Sequence, residues 1–160
     1  MMPVVGTPTT PTVVSKDQVR MFMRDYASNN ILLDDVQFTD NELNLAMEMA
    51  VSAFNAVTPQ SNYVPQSFPT HLRYLLLIGT ARFLMMSESF MQVRNQATVQ
   101  DGDIAPIGIS DKAALYSQLS QQLKAEWDEL TRGIKTQQNM ESAYATLGSG
   151  YRNTSRFNRS

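Results

Sequence analysis

"HLRYLLLIGTARFLMMSESFMQVRN", residues 71–95, decides the fold. Through its middle the segment is apolar on nearly every side of a helix, and such a helix has to be enclosed by neighbours. The most apolar run, residues 74–86, is 13 residues long and contains Arg82. A membrane span needs about 20 apolar residues, so the segment reads as the central helix of a soluble bundle, ending near Gln96. Ser67 or Thr70 is the expected cap, with Pro69 tolerated in the first turn. Gly79 costs about 1 kcal/mol relative to alanine inside a helix, which implies that another helix approaches closely there.

Working outward, three more helices complete the bundle. Ser15 is the N-cap of a short helix in which Val19, Phe22, Met23 and Tyr26 form one stripe, with Asn29 and Asn30 ending it. "FTDNEL", residues 38–43, is the clearest start signal. Thr39 and Glu42 form a capping box, and Phe38 and Leu43 occupy hydrophobic-staple positions. That helix runs to about Val57, before Thr58-Pro59. Leu43, Met47, Ala50, Phe54 and Val57 make its core stripe, and Leu45, Met49 and Ala53 widen it toward a second neighbour. Ser110 caps a fourth helix whose Leu115, Leu119, Leu123, Trp127, Leu130 and Ile134 step by fours and threes as one apolar seam. After Ile134 the amphipathicity fades, so the helix should project or fray. The expected architecture is all-α, an antiparallel bundle of about four helices. Residues 1–14 form an extended N-terminal arm, 15–136 the bundle, and 137–160 a projecting helix end and flexible C-terminal tail. Short strands at "NYVPQSF" or "DIAPIGI" are the only β candidates.

The 160 residues suit one domain. Hydrophobic residues make up 42%, enough for a core, while charged residues are only 18% against a usual quarter or so. Much of the surface is therefore uncharged, which suits burial against other subunits. A net charge of −2 argues against a general nucleic-acid binder. The absence of cysteine rules out disulfides and thiolate chemistry. "MMPVVGTPTTPTVV" has no basic segment and no long apolar run, so it does not read as a signal peptide.

The residues offer little chemistry. His71 is the one histidine, and its place in a first helical turn favours a solvated or capping side chain over a base. Asp101 and Asp103 could begin a calcium loop, but the twelfth position, where the closing glutamate belongs, holds Lys112. Asp-Gly turn chemistry is the better reading, and Asp34-Asp35 shapes the connector or meets a basic partner. The helical methionines read as core filler rather than an adaptable groove. No catalytic, cofactor or metal residues are expected, and the chain reads as no enzyme.

The C-terminal "GSGYRNTSRFNRS" remains. Its glycines at 148 and 150 read as a hinge. Beyond them Tyr151, Arg152, Arg156, Phe157 and Arg159 suit a segment that orders on a protein partner, the aromatics filling pockets and the arginines meeting carboxylates. Three charges grip DNA only weakly, and plain terminal disorder is the competing reading.

"LLDDVQFTDNELNLAMEMAVSAFNAVTP", residues 32–59, resembles the small head-to-tail connector (adaptor, or head-completion) proteins of tailed double-stranded-DNA bacteriophages. The order of parts is similar too: polar arm, compact helical bundle, long last helix and Gly-rich tail. The resemblance is motif-like over 32–59 and architectural over 15–160. It implies a non-enzymatic virion protein forming a ring, often of twelve copies, beneath the portal. Such a ring extends the DNA channel, so double-stranded DNA passes near it, and presents a surface to the tail or a tail-completion protein. The segment matching the portal-docking part is Gln137–Ser160. Its expected location is the neck of the virion, and the host cytoplasm during assembly, with no membrane partner. The alternative is a DNA-binding packaging subunit, similar to a small terminase, or another helical assembly protein. Against it, the best-placed helix pair, 15–29 and 39–57, carries no Lys or Arg on its second member.

Overall fold

The computed structural model describes residues 13–30, 35–99 and 109–154, with side chains described for 13–30, 35–94 and 112–145. The described residues form an all-helical bundle of α1 (Lys16–Met23), α2 (Asp40–Ala56), α3 (Arg73–Val99) and α4 (Ile109–Thr154), with a 3-10 turn at Thr70–Leu72 leading into α3. No strand occurs among them. The "NYVPQSF" candidate is irregular chain and a turn, and "DIAPIGI" lies almost wholly outside the described residues. No helix is long and apolar enough to cross a membrane, among the described residues.

α3 is the centre, as its all-round apolar character requires. It packs most extensively on α4, next on α2, and also on α1. Tyr74 of α3 meets Glu126 of α4, Oη to Oε1 at 2.7 Å, while Ser120 Oγ donates to the Arg82 carbonyl at 3.3 Å. Rising numbers on one helix meet falling numbers on the other, so the pair is antiparallel. Gly79 lies where three helices converge. A Cβ built there would sit 2.7 Å from Trp127 Nε1 and 3.0 Å from the Ala50 Cβ, so the missing side chain admits both α2 and α4.

The capping reading of α2 holds in detail. Thr39 N donates to Glu42 Oε2 at 2.7 Å and Glu42 N to Thr39 Oγ1 at 3.4 Å. Phe38 and Leu43 are both buried in the core cluster. Ser15 caps α1 with a box completed by Gln18. Val14, assigned above to the arm, is fully buried in the core, and Val13 N donates to the Pro65 carbonyl at 3.4 Å. The anchored chain thus begins by Val13, and residues 1–12 lie outside the description.

α1 ends earlier than its apolar stripe suggests, at Met23 rather than at Asn29–Asn30. Arg24 turns into the left-handed region, φ 58°, and closes the helix. The reason lies one residue on. Asp25 is 4% exposed, and its carboxylate accepts four hydrogen bonds. Arg20 Nη1 donates at 2.9 Å, Asn30 Nδ2 at 2.9 Å, Gln37 N at 2.6 Å and Phe38 N at 3.1 Å. A continuing helix would carry this carboxylate out of reach of Gln37 and Phe38. Arg20 also reaches Asp40 at 2.8 Å and Lys16 reaches the same residue at 3.0 Å, pinning α1 to the start of α2.

The linker after α2 folds back through its aromatics. Tyr63 and Phe68 pack with Phe54 as a three-ring cluster, with centroids 5.4–6.2 Å apart. Asn55 supports it, donating to the Tyr63 carbonyl at 2.8 Å and accepting from Tyr63 N at 3.1 Å. The Thr58–Pro59 peptide is cis. Lys135 of α4 fastens this corner: Nζ donates to the Pro59 carbonyl at 2.8 Å and to Ser61 Oγ at 2.9 Å, and stands 4.1 Å from the Phe54 ring centre.

Three expectations for α4 fail. The leucine seam is not one buried face. Trp127 is buried and Leu123 and Ile134 are half-buried, but Leu115 is 58% exposed, and Leu119 and Leu130 are exposed as well. The face against the bundle is Ala113, Ser120, Trp127, Thr131 and Lys135, a register rotated from the leucines. On this face Ser120 reaches the Arg82 carbonyl of α3, Trp127 fills the space that Gly79 leaves, and Lys135 reaches the linker corner. Nor does the chain bend at 148–150. The backbone is helical through Gly148 and Gly150 to Thr154. Residues 137–147 are rich in strong helix formers (Gln, Met, Glu, Ala, Leu), which offsets the cost of about 1 kcal/mol per glycine. The helix starts at Ile109, so Ser110 lies in its first turn rather than at the cap.

Candidate functional site

The surface carries more chemistry than the interior, and it is apolar. Only Met47 among the helical methionines is part of the buried core. Met23 and Met85 pack partly buried against it, whereas Met21, Met49, Met86 and Met91 are exposed. The core-filler reading is therefore corrected: most of these methionines face outward in two groups.

The first group lies between α2 and α3. Leu45 and Met49 of α2 and Phe83, Met86 and Phe90 of α3 line a groove of about 360 Å³. Phe90 is 68% exposed. Leu45 and Met49 are the residues whose spacing indicated a second neighbour for α2; within the chain they have this open groove. The second group lies between α1 and α4. Phe22 and Met23 face Leu119 and Leu123 across Met85, enclosing about 350 Å³. Leu115 and Met21 add exposed apolar surface on the same two helices. Successive residues turn by about 100° in a helix, so Met85 lies about 130° round α3 from the mean direction of Phe83, Met86 and Phe90. The grooves thus occupy well-separated sides of the molecule. Exposed apolar clusters of this kind are candidate interaction surfaces.

The third surface is the end of α4. Its 46 residues span about 69 Å, against about 40 Å for the 27 residues of α3. Lys135 anchors α4 to the linker corner, and every residue from Asn139 to Ala145 is exposed. Positions 140, 144, 147 and 151, held by Met, Tyr, Leu and Tyr, share one face by their spacing of 4, 3 and 4. Met140 and Tyr144 are exposed. Of the residues expected to form a tail anchor, Tyr151 and Arg152 lie on the helical backbone, while Arg156, Phe157 and Arg159 lie outside the described residues.

His71 is exposed in the turn that opens α3. Asp35 Oδ1 accepts from Val36 N at 2.7 Å, a local turn bond, whereas Asp34, Asp101 and Asp103 fall outside the description. No group of three or more His, Cys, Asp or Glu side chains is placed to hold a metal, among the described residues.

Sequence reasoning missed two features that the structure makes prominent. The Asp25 clamp draws donors from 5 to 13 residues away and leaves no periodic signal. The burial of Lys135 depends on the linker corner folding back on α4. Comparison with known proteins finds no matching family model, no similar curated protein and no similar solved structure.

Proposed function

We propose that the chain is a non-enzymatic structural protein of a phage particle, a ring-forming adaptor beneath the portal that joins head to tail and extends the DNA channel. The observation that carries this reading is the pair of apolar grooves on separate sides of one bundle. A closed ring needs a heterologous interface, in which one patch of each subunit meets a different patch of the next. The α2/α3 groove and the α1/α4 groove are two such patches, and the low surface charge reduces the cost of burying them. The overhanging end of α4, with Tyr151, Arg152 and the following Arg156, Phe157 and Arg159, is the proposed portal anchor. The resemblance of residues 32–59 to connector proteins supplies the setting: the virion neck, and the host cytoplasm during assembly.

Electron microscopy of the purified protein mixed with portal-bearing particles tests the reading. Rings at one vertex are expected, and removal of residues 148–160 should abolish attachment while leaving the bundle folded. A dispersed monomer that never binds particles would refute it. A salt-sensitive shift of linear DNA by the isolated protein would instead favour a packaging subunit.

A further inference from the structure

We propose that the cleft between the corner at Val57–Thr58 and the α4 segment 127–139 is a binding site for an oxyanion, a carboxylate or phosphate group. The cleft encloses about 250 Å³. Its buried residues are Trp127, Thr131 and Lys135, and its exposed rim includes Arg132, Thr136 and Asn139.

Two residues that line the cleft call for the same ligand. Lys135 is 2% exposed, and its ammonium is held by two neutral oxygens and an aromatic face. No carboxylate lies within 4.0 Å of it among the described residues. Neutral acceptors orient the ammonium without cancelling its charge, and a buried charge without a counter-ion is costly. Burial also pushes Lys135 below the ordinary lysine value, in the direction a missing counter-charge dictates. The second feature is Thr131. It is 2% exposed, yet its Oγ1 has no hydrogen-bond partner among the described residues. An unmet buried hydroxyl is itself destabilising.

An oxyanion supplies both what Lys135 lacks and what Thr131 lacks. A cation would add to the charge already there, and an apolar ligand would leave the hydroxyl unmet. The rim suits the same chemistry. Arg132 makes no ion pair among the described residues, and Thr136 and Asn139 add donors. Asp128 also lines the cleft, but its carboxylate is engaged by Lys124.

Trp127 is the single tryptophan of the chain and lines the cleft, so its emission reports occupancy directly. The full chain is titrated with inorganic phosphate and, separately, with acetate, sodium chloride holding the ionic strength constant. A saturable change with phosphate assigns the site to phosphoryl groups, and one with acetate assigns it to carboxylates. Thr131→Val keeps the shape and should fold. It should weaken binding about fivefold, and Arg132→Gln about tenfold or more, the usual difference between a neutral and a charge-assisted hydrogen bond. The proposal is overturned if neither anion changes the emission beyond the chloride control, or if either variant titrates as the unaltered protein does.

Discussion

Replacing Gly79 by alanine should destabilise the protein, although alanine is the better helix former. The new Cβ would stand 2.7 Å from Trp127 Nε1, 3.1 Å from Trp127 Cδ1 and 3.0 Å from the Ala50 Cβ. Side-chain carbons do not approach that closely, so α2, the indole or α3 itself has to move. The indole is confined, being buried with the Arg82 guanidinium carbon 5.1 Å from its ring centre. Overpacking of a filled core costs about 1–3 kcal/mol. Against this stands a helix-propensity gain of about 1 kcal/mol, so the net loss should be about 1 kcal/mol and the melting temperature about 3 °C lower. Gly133 provides the internal control. It lies exposed in α4, and a Cβ there meets nothing within 4 Å. Gly133→Ala should therefore collect the propensity gain alone and raise stability by about 1 kcal/mol. The propensity term is common to both variants, so their difference, about 2 kcal/mol, isolates the packing cost. Urea unfolding followed by circular dichroism measures both. If Gly79→Ala is as stable as Gly133→Ala, the convergence of three helices at residue 79 is wrong.

Other outcomes follow from the same contacts. Asp25→Ala removes the acceptor for four donors, two of them backbone amides, and should cost about 3–5 kcal/mol in urea unfolding; a loss under 1 kcal/mol would show that the clamp is not what ends α1. Lys135 has a lowered folded-state pKa because burial disfavours its charge. Between that value and the ordinary 10.5 the unfolded chain binds more protons, so its contribution to stability should rise with pH through the window, the full cost of the buried charge being felt below it. Comparing the pH dependence of the unaltered protein with that of Lys135→Met checks the sign, since every other titrating group is shared. Phe90→Glu, at an exposed position lining the α2/α3 groove, should leave the melting temperature within about 1 °C while weakening self-association at least tenfold in sedimentation velocity. Unchanged association would remove that groove from the proposed ring interface.

Local signals in the sequence carried the helices themselves. The Thr39–Glu42 box and the Ser15 cap are interactions within three residues, so their pattern in the chain is already their geometry. The central place of α3 was also legible, because a segment apolar on all sides has no stable position but the middle. Even the packing role of Gly79 could be inferred, since an uncompensated glycine inside a helix needs a reason. The facing of α4 was not legible. Its leucine seam and its buried Trp127–Thr131–Lys135 register are both consistent with helical periodicity, and the choice between them depends on how closely α3 lies. The same holds for the end of α1, where Asp25 overrides an intact apolar stripe through amides in the following connector. The candidate surfaces divide in the same way. Leu45 and Met49 announced a second neighbour, but that they line an open groove beside α3 rather than a packed helix face is a tertiary fact. Sequence periodicity says which residues share a face; only packing decides which face is covered, and so which apolar residues stay at the surface.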